Sequence, residues 1–320
     1  MKVAVTGGSG FIGTRLVERL RGAHQVKILD KLGSAAFPEL VTRVDVCDAA
    51  ALDRELAGQD AVVHLAAEHR DDVTPTSRYY DVNVTGTENL LAALTRHGIG
   101  RLVFTSTVAV YGLDRPEPDE DTSLDPFGHY GISKRQAEDL MRAWQAAAPG
   151  RRLTIVRPSV VFGEANRGNV YTLLHQLAGG LFLMVGDGAQ KKSMAYVENV
   201  ADFLRFALES PEAGFRLFNY ADKPDLTMNE LVTLVRADLG RSPATLRIPY
   251  ALGMLGGRGF DLLARLSGRS LPISAVRVQK FCATTVFSAE RARRSGFTPR
   301  VSLAEGLRRT LAHEFGRGGD

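Results

Sequence analysis

The chain has 320 residues, a formal charge of only +4 and two cysteines, Cys47 and Cys282. Two cysteines exclude a disulfide framework and a cysteine-based metal centre, and the scattered Lys and Arg residues lack the dense basic runs of a nucleic-acid binder. No apolar run reaches the ~18 residues of a membrane span. With strand-like residues starting at Lys2 in place of a signal peptide, the expectation is a cytoplasmic protein with a large core in two lobes.

Lys2-Val3-Ala4-Val5 reads as a short buried strand, running into Thr6-Gly7-Gly8-Ser9-Gly10-Phe11-Ile12-Gly13 and a helix over Thr14 to Arg21. Two glycine spacings overlap, Gly8-x-Gly10-x-x-Gly13 and Gly7-x-x-Gly10-x-x-Gly13. Either leaves backbone N–H groups at a helix start bare enough to meet a pyrophosphate. Gly7, Gly10, Phe11, Ile12 and Gly13 are the candidate residues for that contact. The second strand, Gln25 to Leu29, ends on Asp30, close to the spacing of about 20 at which a carboxylate takes the adenosine ribose hydroxyls. A carboxylate repels a 2′-phosphate, so NAD(H) is expected in preference to NADP(H). Lys31 beside it is a cation able to pair with such a phosphate.

Next come a strand over Leu40 to Val46, a helix from Ala49, a strand over Ala61 to Leu65 and a long helix through Asn89. A strand over Arg101 to Ser106, an acidic loop from Asp114 to Pro126, the helix bearing Tyr130 and a strand over Leu153 to Arg157 follow. Asp125 is placed to cap the helix after that loop. This alternation predicts an α/β fold, a Rossmann-like doubly wound parallel sheet with a smaller C-terminal substrate-binding lobe. The expected domains are 1–163 for the dinucleotide, completed by a strand near 215–221, and 164–320 for the substrate.

Tyr130-Gly131-Ile132-Ser133-Lys134 puts a phenol and an ammonium on one helical face. A phenol of pKa about 10 works near neutrality only where a fixed cation stabilises its phenolate. Thr107, just past a strand at the carboxyl edge of the sheet, can offer its hydroxyl to a substrate oxygen, a role Ser106 could share. Tyr130 would move the proton on that oxygen while hydride passes between carbon and nicotinamide. Lys134 would tune Tyr130 and hold the nicotinamide ribose. His64, ending a buried strand, reads as structural. Glu68, His69 and Asp71 read either as a solvated loop or as facing a substrate.

With Asp45-Val46, His64-Leu65-Ala66-Ala67, Asn83-Val84-Thr85-Gly86-Thr87 and Thr105-Ser106-Thr107, the chain resembles an extended short-chain dehydrogenase/reductase of the NAD-dependent epimerase/dehydratase group over nearly its whole length. The resemblance implies that Asp45 and Val46 edge the adenine and that Leu65, Ala66 and Ala67 flank the phosphates and ribose. It also implies that Thr107 completes a triad with Tyr130 and Lys134, that no metal takes part, and that a homodimer forms through the helices near Asn89 and Tyr130. On the substrate side, Asn169-Val170 resembles the family's Asn-Leu pair for a nucleotide-sugar diphosphate, and Lys192 sits where such epimerases carry an Arg. Val160 in place of an Asn and the missing Arg-x-Gly-Asp segment depart from that pattern. The apolar, helix-like stretch Ile248 to Gly268 stands there instead, with Arg277 as a candidate substitute anchor.

The expected activity is NAD(H)-dependent hydride transfer at C4 of a nucleotide-activated sugar. A 4-epimerase must keep its diphosphate clamped while the keto-sugar turns, whereas a 4-ketoreductase needs one pose. The looser clamp therefore tilts the expectation toward reduction of a UDP-4-keto-6-deoxy-N-acetylhexosamine, as in polysaccharide biosynthesis. A UDP-sugar 4-epimerase is the alternative, and a steroid- or lipid-alcohol dehydrogenase, suited to the apolar stretch, a further one. Val108 and Ala109 disfavour a dehydratase, which needs an Asp-Glu pair beside the Thr. Intact Thr107, Tyr130 and Lys134 speak against a non-catalytic NAD-sensing module.

Overall fold

In the computed structural model, which describes residues 1–70, 73–113, 115–180, 182–242, 245–267 and 275–316, strands and helices alternate from the first residues. β1 (Lys2–Thr6), α1 (Phe11–Leu20), β2 (Gln25–Asp30), β3 (Val41–Arg43), α2 (Ala49–Leu56) and β4 (Ala61–His64) come first. α3 (Ser77–Tyr80) then runs through a π-helical turn, Asp81–Thr85, into α4 (Gly86–Arg96). β5 (Arg101–Thr105), a 3-10 turn at Val108–Tyr111, α5 (Gly128–Ala146), β6 (Arg152–Pro158), β7 (Val160–Phe162), α6 (Asn169–Gly179) and β8 (Leu183–Val185) follow. The described chain continues with β9 (Lys191–Tyr196), α7 (Val197–Glu209), β10 (Gly214–Tyr220), β11 (Asp222–Thr227), α8 (Met228–Asp238) and β12 (Leu246–Ile248). α9 (Tyr250–Ser267), α10 (Ala275–Cys282), α11 (Glu290–Arg294) and α12 (Leu303–Phe315) end it.

Seven strands form one sheet in the order β10-β6-β5-β4-β1-β2-β3, with parallel pairing throughout. Successive strand residues point to opposite faces. Val3, Val5, Ala61, Val63 and Val103 therefore join a core with Leu16, Leu20, Phe203 and Leu204 of α1 and α7. Ala4, Val62, Leu102, Phe104 and Ile155 join another with Leu52, Leu90, Leu94, Ala137 and Met141 of α2, α4 and α5. Helices on both faces explain why the central strands β1, β4 and β5 carry apolar residues at successive positions rather than at alternate ones. β1 and β4 are neighbours although β2 and β3 lie between them in sequence, so the winding direction reverses there. Ligands of such sheets bind outside the carboxyl ends at that reversal.

The chain forms two compact units. One comprises Met1–Val161, Ala195–Asp222 and Phe287–Val301; the other comprises Phe162–Met194, Lys223–Val286 and Ser302–Asp320. The first holds the seven-stranded sheet. The second holds α6, α8, α9, α10, α12 and the parallel β12–β8 pair.

Two local expectations need correction. The strand expected over Leu40 to Val46 is only Val41–Arg43, because Pro38–Leu40 forms a 3-10 turn and Asp48 already caps α2, accepting from Ala51 N at 3.0 Å. Asp125 does not cap α5, which starts at Gly128 after an uncapped Phe127. Asp125 is instead held to the 3-10 turn, its N–H donating to Val110 O at 3.1 Å. Its carbonyl occupies the space a Cβ on Gly112 would take, 2.1 Å from that position.

Candidate active site

The glycine turn after β1 is built around missing side chains. Gly7 lies in the left-handed region at φ +70°, and a Cβ there would stand 2.6 Å from Ala66 N. A Cβ on Gly13 would stand 2.4 Å from Gly7 O and 2.6 Å from Gly8 Cα. These contacts fold the chain tightly under the start of α1, whose N-cap Gly10 offers no side-chain cap. The first N–H groups of α1, at Phe11, Ile12 and Gly13, thus meet no capping side chain, and the helix dipole favours an anion there. Asp30 closes the side of the turn, its carboxylate accepting from Ser9 N at 3.1 Å and Leu32 N at 2.9 Å.

Ala66 and Ala67 leave the carboxyl end of β4 beside that turn, with Leu65 N donating to Thr6 O at 3.0 Å. Asp45 turns the chain after β3 by accepting from Cys47 N at 2.9 Å, and Val46 packs on Gly86 so closely that a Cβ there would lie 2.7 Å from its Cγ2. A side-chain-free cradle, an open helix start and a carboxylate at the end of β2 fit a dinucleotide without a 2′-phosphate.

Thr107 follows β5 and caps the 3-10 turn, its Oγ1 accepting from Ala109 N at 3.1 Å. Its own hydroxyl proton is therefore left to donate elsewhere. Tyr130 and Lys134 lie one turn apart on α5, and α5 approaches the 3-10 turn closely, since a Cβ on Gly131 would stand 2.8 Å from Ala109 O. Ser106 Oγ is buried with no hydrogen-bond partner among the described residues.

Lys134 is 2 % exposed, and its Nζ donates to Thr105 O at 2.7 Å while lying 4.0 Å from the centre of the Phe104 ring. Burial pushes its pKa down to about 7, opposed by the negative charge of Glu138 one turn on. Glu138 is itself buried against Arg157 of β6, with Nε–Oε1 at 2.9 Å and Nη2–Oε2 at 2.5 Å. Arg157 Nη1 also donates to Tyr111 OH at 2.8 Å. This pair ties α5 to the sheet next to Lys134.

Asn83, in the π-helical turn, donates through Nδ2 to Ser133 Oγ at 2.9 Å and to Glu68 O at 3.0 Å, while Glu68 N donates back to its Oδ1 at 2.9 Å. It thereby joins the segment after β4 to the turn of α5 between Tyr130 and Lys134. Sequence reasoning placed Asn83 in a motif without giving it this role. A charged Arg157 within an apolar strand was likewise an unused signal. Glu68 turns to Arg70 at 3.1 Å, so its carboxylate serves the loop. His64 is fully buried between Thr6 Oγ1 at 2.6 Å and Thr87 Oγ1 at 3.4 Å, and burial, then the Lys134 charge, pushes its pKa down to about 3. It stays neutral, as a structural histidine should.

In the second unit, α6 begins at exposed Asn169 and buried Val170 after Gly168, again with no side-chain cap. Lys192 Nζ donates to Ala283 O, and burial pushes its pKa down to about 8. Asp71 and the Arg277 side chain lie outside the described residues.

The fold and this site are those of a dinucleotide-dependent α/β oxidoreductase. Residues 3–221 match the model of the NAD dependent epimerase/dehydratase family, and the chain belongs to it. The reading of the sequence as an NAD(H)-dependent enzyme acting by hydride transfer at C4 of an activated sugar stands. The chain is 53 % identical over 314 residues to the N-acetyl-alpha-D-glucosaminyl-diphospho-ditrans,octacis-undecaprenol 4-epimerase of Escherichia coli O157:H7, covering 98 % of this chain and 95 % of that one. It is 33 % identical to the 2-alkyl-3-oxoalkanoate reductase of Stenotrophomonas maltophilia, covering 98 % and 99 % of the two chains. Among solved structures, the Thermus thermophilus UDP-glucose 4-epimerase in complex with NAD superposes with a TM-score of 0.75 at 25 % identity, covering 98 % of each chain.

Proposed function

We propose that the chain is a 4-epimerase of N-acetylglucosamine joined through a diphosphate to a polyisoprenol. The observation that carries this is the 53 % identity to the E. coli 4-epimerase over nearly the full length of both chains. The departure from the nucleotide-sugar pattern agrees with it, since the apolar α9 stands in place of an Arg-x-Gly-Asp segment.

Bound NAD supplies a reversible hydride acceptor. Tyr130 takes the O4 proton as hydride leaves C4, while Thr107 donates to O4, leaving a 4-keto sugar. After the sugar turns, hydride returns to its other face and Tyr130 gives the proton back. Lys134 stabilises the Tyr130 phenolate, and Asn83 and Glu138 hold the helix that carries both. Asn169, Val170, Lys192 and Arg277 are the candidate diphosphate anchors, a cation and an open helix start being suited to two phosphates. A homodimer through α4 and α5 and a cytoplasmic location belong to the same proposal, supported by the family resemblance.

A second reading is 4-keto reduction of a nucleotide-linked sugar, favoured by the missing diphosphate clamp and by the reductase relative. The two readings share the chemistry at C4 and differ in whether the reduced cofactor stays. The test is to offer N-acetylglucosaminyl-diphospho-polyisoprenol, UDP-N-acetylglucosamine and a UDP-4-keto sugar, each with and without NADH. Conversion of the polyisoprenol substrate to its N-acetylgalactosamine epimer without NADH is expected. Turnover of the keto sugar alone, with NADH consumed one for one, would establish the reductase instead.

A further inference from the structure

α9 buries Gly253 and Gly257 and exposes Leu252, Leu255 and Leu263. Gly253 and Gly257 face inward, and a Cβ on Gly253 would stand 2.4 Å from Val185 Cγ1. Leu252 and Leu255 are 57 % and 67 % exposed, and Tyr250 and Phe260 are exposed beside them. At 100° per residue Leu252, Leu255, Gly256, Gly259 and Phe260 fall on one side of the helix. Other helices of the same unit do the reverse: α8 buries Leu231, Val232 and Val235, and α12 buries Leu303, Leu307 and Leu311. Leu246, just before α9 on β12, adds 75 % exposure to the same neighbourhood of the chain. Contiguous exposed apolar surface of this kind marks an interaction site.

Charge identifies the partner. Residues 241–280 carry seven Arg and Lys against one acidic residue, Asp261, although the whole chain has a net charge of only +4. The rest of the chain is therefore net negative, and the basic excess is concentrated in the stretch of sequence that contains α9. A second copy of the chain would bring the same positive charge onto itself. No helix among the described residues is long and apolar enough to cross a membrane. An amphipathic helix of about 27 Å with an exposed apolar face, in a basic stretch of sequence, fits the plane of an anionic bilayer.

We propose that α9 seats this chain on an anionic phospholipid surface, its Leu252–Leu255 face entering the headgroup region and exposed Arg258 of the same helix meeting lipid phosphates. The inference rests on α9 and its charge, and holds whichever carrier bears the sugar. The test is sedimentation of the full chain with vesicles of phosphatidylcholine, with and without phosphatidylglycerol and with neither substrate present. Binding to the anionic vesicles at least about tenfold tighter than to neutral ones, weakening with salt, is expected. The variant carrying Leu252→Glu and Leu255→Glu should lose that binding by about tenfold while keeping its Tm and NAD affinity. No binding by the unaltered chain would overturn the proposal. So would a lowered Tm in the variant, which would mean a buried face, or a dimer-to-monomer change by light scattering with vesicle binding intact, which would mean a self-interface.

Discussion

Lys134 Nζ and Thr105 O are 2.7 Å apart, so the ammonium of α5 is held at the carboxyl end of β5, within a shell that excludes water. An unfolded Lys titrates near 10.5 and this one near 7, so the folded state disfavours its charge. Stability on its account is full above about pH 10.5 and is lost progressively as pH falls to about 7. Lys134→Met should accordingly raise stability at pH 7 by about 1–3 kcal/mol after loss of the hydrogen bond, with the gain shrinking toward pH 10. Turnover should be lost. Calorimetry across that range checks it, and a lower Tm at pH 7 would contradict the burial cost.

On the proposed mechanism, Tyr130 acts on the substrate oxygen while the cofactor has other anchors. Tyr130→Phe should cut kcat by about 100-fold or more and leave NAD affinity within a few fold. Steady-state kinetics with a parallel NAD titration decide it. A variant keeping most of its rate would remove Tyr130 from the proton transfer.

On the proposed reading, Asp30 sets the choice of dinucleotide through repulsion of a 2′-phosphate. Asp30→Ala should shift preference from NADH toward NADPH, with some loosening of the turn as Ser9 N loses its acceptor. An unchanged ratio of kcat/KM for the two cofactors would refute the carboxylate's part.

Gly13 is a position where a single methyl has nowhere to go. Gly13→Ala should weaken NAD binding by about tenfold or more, because opening the turn moves the N–H groups of α1. Gly22→Ala is the control, since a Cβ there meets nothing within 4 Å. Equal NAD affinity in both variants, measured by fluorescence quenching, would show that the cradle does not hold the cofactor.

The doubly wound sheet was legible because β1, β4, β5 and β6 are short, mostly apolar runs alternating with amphipathic helices, whereas β3, Val41-Thr42-Arg43, carries little apolar signal of its own. The turn from Gly7 to Gly13 was legible because glycine spacing reports directly where backbone must approach backbone. The cap at Asp125 was misread, since the crowding of Gly112 against the Asp125 carbonyl is a tertiary contact with no local signature. Asn83 was seen as a motif member but not as a link between two segments, for its partners Glu68 and Ser133 lie 15 and 50 residues away. α9 reads as apolar in the sequence, yet which face is exposed depends on Val185 packing against Gly253.

The most direct measurement uses polyisoprenyl-diphosphate-linked N-acetylglucosamine carrying deuterium at C4, incubated with the chain in ordinary water and analysed by NMR. Hydride transfer to NAD and back predicts an inverted C4 that retains its deuterium. Inversion with the deuterium lost to solvent, or no inversion at all, would contradict the account.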